Sequence, residues 1–176
     1  MKNILAFAGS NSKTSINKQL AEFAASLVEN VETTVLDLND FELPIYSVDL
    51  EMEKGIPNNA HEFMEAIKFT DGIILSLAEH NGAYATVFKN LFDWMSRIGG
   101  KLWSEKPMLL MATSPGARGG ATVLEIAKGS FPFMGGNIVS DFSLPAFGNN
   151  FKDGKIINDY LNADLKHKVE LFQNAL

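Results

Sequence analysis

Short apolar runs alternate with helix-period stretches along the chain, and this alternation constrains the fold more than any other feature. Ile4 to Ala8 is a continuous apolar run closed by Gly9-Ser10, the pattern of a strand buried on both faces. Ile16, Leu20, Phe23, Ala24 and Leu27 then recur at steps of three and four, which predicts a helix with one core-facing stripe. Thr33 to Leu38 reads as a second strand, and residues 39–57, broken by Pro44, Gly55 and Pro57, read as irregular. Asn58 or Asn59 is a candidate cap for a helix carrying Ala60, Phe63, Met64 and Ile67 on one face. Gly72 to Leu77 is a third strand. Phe88, Leu91, Phe92 and Met95 mark a helix that ends by Gly99-Gly100. Met108 to Ala112 is a fourth strand, Val123 to Ala127 a short helix, and Ile138 to Phe142 a fifth strand. Leu161, Leu165, Val169 and Phe172 share one side of a last helix.

Strands without a polar face need cover on both sides, and the intervening helices supply it. Right-handed crossovers then give an open parallel sheet, doubly wound, of the α/β class. With 176 residues and no internal repeat or long linker, one domain over 1–176 is expected. The absence of cysteine excludes a disulfide scaffold, thiolate catalysis and a thiolate metal site. A net charge of −6 without a basic patch argues against nucleic acid. No window approaches the roughly 18–20 uninterrupted apolar residues of a membrane helix. The five-residue run at the N-terminus is too short for a secretory segment, so a cytoplasmic protein is expected. His61 and His167 lie on helices with no partner motif, and no metal site is expected.

Open sheets of this kind bind ligands beyond the carboxyl ends of their strands, where strand order reverses. After the first strand comes Gly9-Ser10-Asn11-Ser12-Lys13-Thr14-Ser15-Ile16-Asn17, rich in hydroxyls and amides and set directly before a helix. A helix N-terminus exposes unpaired N–H groups and partial positive charge, so this turn suits a phosphate. The same residues also make an ordinary polar loop with Thr14 or Ser15 as its cap. It matches neither the nucleoside-triphosphatase loop nor the dinucleotide fingerprint. After the third strand, Ala78-Glu79-His80-Asn81-Gly82-Ala83-Tyr84 carries an Asn-Gly turn. His80 is a candidate base with Glu79 beside it, although neighbours in sequence are not thereby aimed at each other. After the fourth strand, Thr113-Ser114-Pro115-Gly116-Ala117-Arg118-Gly119-Gly120 offers glycines for close approach to a flat ligand and Arg118 for an anion. Together the three loops suggest one pocket with a phosphate end and a planar end. Trp94 and Phe92 read as core or subunit contact, and Asp93 and Glu125 as helix-surface charges.

At these residues the chain resembles the NADPH-dependent FMN reductase family, flavodoxin-like proteins that include quinone, azo-dye and chromate reductases. The family's G-S-x-R-x-x-S-x-N is matched by Gly9 to Asn17 and its P-E-Y-N-G-S by Ala78 to Ala83. K-N-x-x-D-W appears as Lys89-Asn90-Leu91-Phe92-Asp93-Trp94, and S-P-G-x-x-G-G as Ser114 to Gly120. The resemblance runs from Ile4 to about Phe142. It implies a flavodoxin-like five-stranded parallel sheet in the order 2-1-3-4-5, with helices on both faces. It implies FMN, whose phosphate Ser10, Ser12, Ser15, Ile16 and Asn17 would hold. Glu79, His80, Asn81 and Gly82 would line the ribityl chain and ring, and Ser114, Gly116, Arg118 and Gly119 would close over its other side. NADPH or NADH would reduce the flavin at N5, and a quinone, azo compound, free flavin or metal oxyanion would take the electrons, with no side chain as an obligatory nucleophile or base. It also implies a homodimer or homotetramer with the Lys89–Trp94 helix near the contact. Ser12 stands where the family often has Arg, and His80 where it usually has Tyr. Two rival readings remain at this level: a flavodoxin-type electron carrier, and an interaction protein that binds no flavin.

Overall fold

The computed structural model describes residues 1–176. The elements run β1 (Lys2–Gly9), α1 (Ile16–Ser26), β2 (Val31–Leu36), α2 (Val48–Lys54), α3 (Asn58–Phe69), β3 (Gly72–Leu77), α4 (Thr86–Met95), β4 (Pro107–Thr113), α5 (Ala121–Ser130), β5 (Asn137–Leu144), α6 (Phe147–Asn150) and α7 (Asp159–Ala175). The five strands form one sheet in the spatial order β2-β1-β3-β4-β5, with every neighbouring pair parallel. This is the flavodoxin-like order the resemblance implies. Two short hairpins, Glu79–His80 with Ala83–Tyr84 and Phe151–Lys152 with Lys155–Ile156, stand outside the sheet.

The central strands bury both faces because their side chains alternate between two helical layers. Leu5, Phe7, Ile73, Leu75 and Leu110 face α3, α4 and α5, where they meet Phe63, Phe88, Leu91 and Val123. Ile4, Ala6, Ile74, Leu109 and Met111 face α1 and α7, where they meet Leu20, Ala24, Leu165 and Phe172. All six residues of β3 are buried, whereas four of the six in the edge strand β2 are exposed. Gly72 opens β3 beneath the C-terminal helix. A Cβ there would lie 2.8 Å from the Phe172 ring and closer still to Leu176, so only glycine admits α7 at that depth.

Two local expectations are corrected. Val48–Lys54 is helical, not irregular. Ser47 caps it by accepting the Leu50 N–H at 3.1 Å, with Asp49 and Glu51 in its first turn and Lys54 in its last. The helix buries none of its residues, so no apolar period marks it. Helix α3 is preceded by Pro57 at the cap position, with no side-chain cap. Asn58 instead bonds Glu62, and Asn59 donates to the Glu42 carbonyl at 2.9 Å.

Candidate functional site

The turns after β1, β3 and β4 converge, because those strands are neighbours in the centre of the sheet. They enclose a crevice of about 290 Å³ lined by Ser10, Ser12, Thr14, Ser15, Ile16, Asn17, Ala78, Glu79, His80, Thr113, Ser114 and Pro115. Eight of the thirteen residues singled out from sequence therefore share one lining. Asn81, Gly82, Gly116, Arg118 and Gly119 lie on the turns beyond it.

The first turn is wound so that its hydroxyl oxygens accept inward. Ser10 Oγ accepts the Ser12 N–H at 3.2 Å and Ser12 Oγ accepts the Thr14 N–H at 3.3 Å. Ser15 caps α1, its Oγ accepting the Lys18 N–H at 3.1 Å. A serine that accepts through oxygen still has its O–H to donate. The first-turn amides of Ile16 and Asn17 have no acceptor within α1. The turn thus presents hydroxyl and amide donors at the positive end of a helix dipole. Glu79 is the one carboxylate in the lining, and its Oε2 accepts the Val123 N–H at 2.9 Å. It supplies the N-terminal cap that Gly120 has no side chain to give α5. This donor set fits a phosphate monoester.

Asn17 has a role the spacing did not suggest. Its side chain is 3% exposed. Its Oδ1 accepts from Ser76 Oγ at 2.7 Å and from the Thr113 N–H at 3.0 Å, while its Nδ2 donates to the Thr113 carbonyl at 3.2 Å. Thr113 Oγ1 in turn donates to the Leu144 carbonyl at 2.7 Å. The amide therefore pins the start of α1 to the ends of β3 and β4. Both side-chain heavy atoms are engaged in this way, so the Asn17 amide acts first as a brace between elements.

The glycine turn after β4 is also divided. Gly119 has φ +58°, and a Cβ on it would stand 2.5 Å from Ser143 Oγ and 2.8 Å from the Leu144 carbonyl. Gly120 has φ +73°, with its Cβ position 2.9 Å from that of Ala112. Both seat the turn against β4 and β5 and do not open it to a ligand. Gly116 alone is open, with nothing nearer to its Cβ position than Ser114 Oγ at 3.8 Å. Arg118 does not reach the crevice turn: its Nη2 donates to Thr122 Oγ1 at 2.9 Å. Asn81 and Gly82 both have positive φ, at +53° and +75°, the two-residue turn an Asn-Gly pair favours. Glu79 is committed to Val123, so it forms no dyad with His80. No group of His, Cys, Asp or Glu could hold a metal ion.

His80 also lines a second, larger cavity of about 620 Å³ that no motif spacing signals. Its other walls are the segment Leu38 to Ile45 and the first turns of α4. The K-N-x-x-D-W motif builds that wall. Asn90 Nδ2 donates to the carbonyls of Leu43 and Pro44, its Oδ1 accepts the Tyr46 N–H at 2.9 Å, and Trp94 Nε1 donates to the Pro44 carbonyl at 2.8 Å. Trp94 is fully buried and meets the Tyr46 ring edge-on at 5.0 Å. At the other end, Asn39 Nδ2 donates to the Asn11 carbonyl at 3.2 Å and to Asp37 Oδ1 at 2.7 Å. Asp37 Oδ2 meets Lys18 Nζ at 2.6 Å. That contact and the Asn39 N–H hold the Asp37 carboxyl below its usual range, and the same contact raises the Lys18 ammonium. Both cavities are thereby tied to the first turn of α1.

Comparison with known proteins speaks to the family. The sequence model of the NADPH-dependent FMN reductase family matches residues 2–149. A 2-hydroxy-1,4-benzoquinone reductase of a Burkholderia species is 34% identical over 133 residues, 74% of this chain and 70% of that protein. A quinone reductase of Escherichia coli strain K12 is 29% identical over 123 residues, 67% of this chain but only 63% of the relative's length. The solved structure of a flavoenzyme NAD(P)H:(acceptor) oxidoreductase from Paracoccus denitrificans superposes with a TM-score of 0.78 at 26% identity, covering 99% of this chain and 97% of that one. A sheet in the order 2-1-3-4-5, a hydroxyl-lined turn ahead of α1 and a family match over most of the chain agree: this protein belongs to the NADPH-dependent FMN reductase family.

Proposed function

We propose that this chain is an FMN-dependent oxidoreductase that passes electrons from NADH or NADPH to a small-molecule acceptor, a quinone, an azo compound or a free flavin. For a quinone the balance is NAD(P)H plus H⁺ plus quinone giving NAD(P)⁺ plus hydroquinone, two electrons and two protons in all. The observation that carries this reading is the crevice at three adjacent strand ends, anion-seating at one end and meeting a larger cavity across His80.

When bound, FMN would supply the redox chemistry between the reduced nicotinamide and the acceptor. The protein's part is binding and orientation. The hydroxyls of Ser10, Ser12 and Ser15 and the amides of Ile16 and Asn17 would hold the phosphate. His80, the Asn81-Gly82 turn and the Ser114–Gly116 turn would border the ring, with Glu79, Arg118 and Gly119 holding those turns in place. Asn17 ties the start of α1 to the ends of β3 and β4. The 620 Å³ cavity lies within the roughly 300–1,000 Å³ usual for small ligands, which favours an enzyme over a carrier that meets only proteins.

No helix is long and apolar enough to cross a membrane. We assign the protein to the cytoplasm, as one FMN-binding domain in a homodimer or homotetramer. Support for association comes from the apolar residues Ile45, Val48 and Met52, which are 70%, 56% and 82% exposed. The test is an FMN titration followed by steady-state oxidation of NADH and NADPH with 1,4-benzoquinone. A yellow protein with multiple turnovers supports the reading. A protein that stays colourless in excess FMN, or that binds FMN but does not turn over, contradicts it.

A further inference from the structure

The turn after β4 is held from behind by the segment that follows β5. Leu144 ends β5, and Pro145 and Ala146 lead the chain into α6. Ala146 sits in the left-handed region at φ +43° and ψ +60°, a conformation that a Cβ disfavours. There it aims two successive amides at one turn. The Ala146 N–H donates to the Gly116 carbonyl at 2.9 Å, and the Phe147 N–H donates to the Ser114 carbonyl at 3.1 Å. The Gly116 carbonyl also accepts the Gly119 N–H at 3.2 Å and the Ser114 hydroxyl at 3.3 Å. Asn150 completes the arrangement. Its Nδ2 donates to the Pro145 carbonyl at 2.8 Å, and its own carbonyl accepts the Ile157 N–H at 2.8 Å. The segment has a firm footing: the Phe147 ring stacks on Phe151 at 4.7 Å, and Phe151 meets Phe23 of α1 edge-on at 5.8 Å.

The Pro145 carbonyl and the Ala146 N–H belong to one planar trans peptide, so they point in opposite directions. Asn150 holds one end of that peptide and Gly116 the other. The same geometry recurs in the next peptide. With the Gly116 carbonyl fixed toward Ala146, the Ala117 N–H points away from it, and that N–H has no acceptor within the chain. Hydrogen bonds in series polarise one another, so the last depends on the first. We infer that Asn150 is a positioning residue for the flavin ring, acting through the Pro145–Ala146 peptide on the turn from Ser114 to Ala117. It lines neither cavity and touches no ligand itself. The inference rests on the oxidoreductase reading and adds to it a residue beyond the crevice. Without the Asn150 amide the Pro145 carbonyl loses its partner, and Ala146 is free to relax from its strained conformation. That relaxation withdraws two donors from the turn that borders the ring. The donors between Ser10 and Asn17 keep their own bonds, so the phosphate seat is spared.

The experiment compares wild type with Asn150→Ala, Asn150→Asp and Asn149→Ala, the last changing an exposed side chain off this path. Amide exchange is read first, without flavin. Asn150→Ala should speed exchange at Ala146 and Phe147 roughly tenfold and leave Thr113 as in wild type. FMN and riboflavin are then titrated into each chain, and the visible circular dichroism of the bound flavin is recorded. Asn150→Ala should weaken both flavins about fivefold, by the same factor because the phosphate seat is untouched. The dichroism of the bound ring should change as well, which a loss of stability alone does not produce. Asn150→Asp keeps the size but sets an acceptor against the Pro145 carbonyl, and it should lose at least as much. Asn149→Ala should match wild type throughout. Unchanged exchange at Ala146, wild-type flavin binding and dichroism in Asn150→Ala, a loss for FMN that spares riboflavin, or an equal loss in Asn149→Ala would each overturn the role of Asn150 alone. A wild-type chain that stays colourless in excess FMN would instead overturn the oxidoreductase reading, and this role with it.

Discussion

The crevice and the larger cavity share His80 but are built in different ways. The crevice is local. Six of its twelve lining residues lie between Ser10 and Asn17, and the rest follow directly on two central strands. The larger cavity is assembled from Asn11, the segment Leu38 to Ile45, His80 and the start of α4, joined by bonds that span 28 to 50 positions. One presents neutral hydroxyl and amide donors, and the other presents apolar side chains with Glu42 among them. A site made at strand ends follows from the fold, whereas a site made by a loop folding back on a helix follows from particular hydrogen bonds.

That contrast can be broken first at Asn17. Asn17→Ala leaves the Ser76 hydroxyl and both Thr113 backbone groups unpaired, each worth about 1–3 kcal/mol when buried. A loss near 3 kcal/mol in total is expected, a Tm drop of roughly 6–12 °C for a chain this size, with FMN affinity falling at least tenfold. Asn17→Asp is the sharper probe, because its ionised form repels phosphate and cannot donate to Thr113. FMN affinity of that variant should recover as pH is lowered and the carboxyl protonates. A calorimetric scan and a flavin titration of each variant check both expectations.

The two kinds of glycine come next. Gly119→Ala forces a Cβ against Ser143 and Leu144 at positive φ and should cost about 2 kcal/mol. Gly116→Ala meets open space and should stay within about 0.5 kcal/mol of wild type in urea unfolding. Gly116→Trp should keep the fold and lose flavin. Full FMN loading in that variant would remove the Ser114–Gly116 turn from the ring site.

Smaller effects belong to the caps and charges. Ser15→Ala should lose about 1 kcal/mol of stability with the helix cap, and FMN affinity with the donor. Ser12→Arg should tighten FMN several-fold and make its binding more salt-dependent, since it adds a cation to a seat of neutral donors. Asp37→Asn should cost about 0.5–1 kcal/mol at neutral pH, as expected of a partly exposed pair. The sign follows from the shifts. The depressed carboxyl stabilises the fold above its unfolded value of about 3.9 and loses that contribution as pH falls through the folded value. The raised ammonium stabilises below about 10.4 and loses its contribution as pH rises through the folded value. The gap between wild type and Asp37→Asn in chemical unfolding should therefore be largest between about pH 5 and 9.

Much of the frame was legible. Continuous apolar runs at Ile4, Gly72 and Met108 mark the buried strands, and alternating helices leave few other ways to cover them. Asn81-Gly82 announced its turn. Helix α2 was not legible, because an element with no buried face leaves no period. Asn17 and Glu79 were visible as polar residues beside a ligand site, yet their partners at Ser76, Thr113 and Val123 lie 44 to 96 positions away. The motif containing Asn90 and Trp94 could be matched without showing that it holds the carbonyl of Pro44. Composition likewise cannot tell that Gly119 and Gly120 are packing residues and Gly116 is not.

The account stands on the turn before α1 as the seat of a phosphate, and one titration tests that most directly. FMN and riboflavin, which share the ring and differ in the phosphate, are titrated into the same protein by flavin fluorescence. FMN should bind at least a hundredfold more tightly, and Ser15→Ala should narrow that ratio while leaving riboflavin unchanged. Equal affinity for the two flavins would show that the turn seats no phosphate.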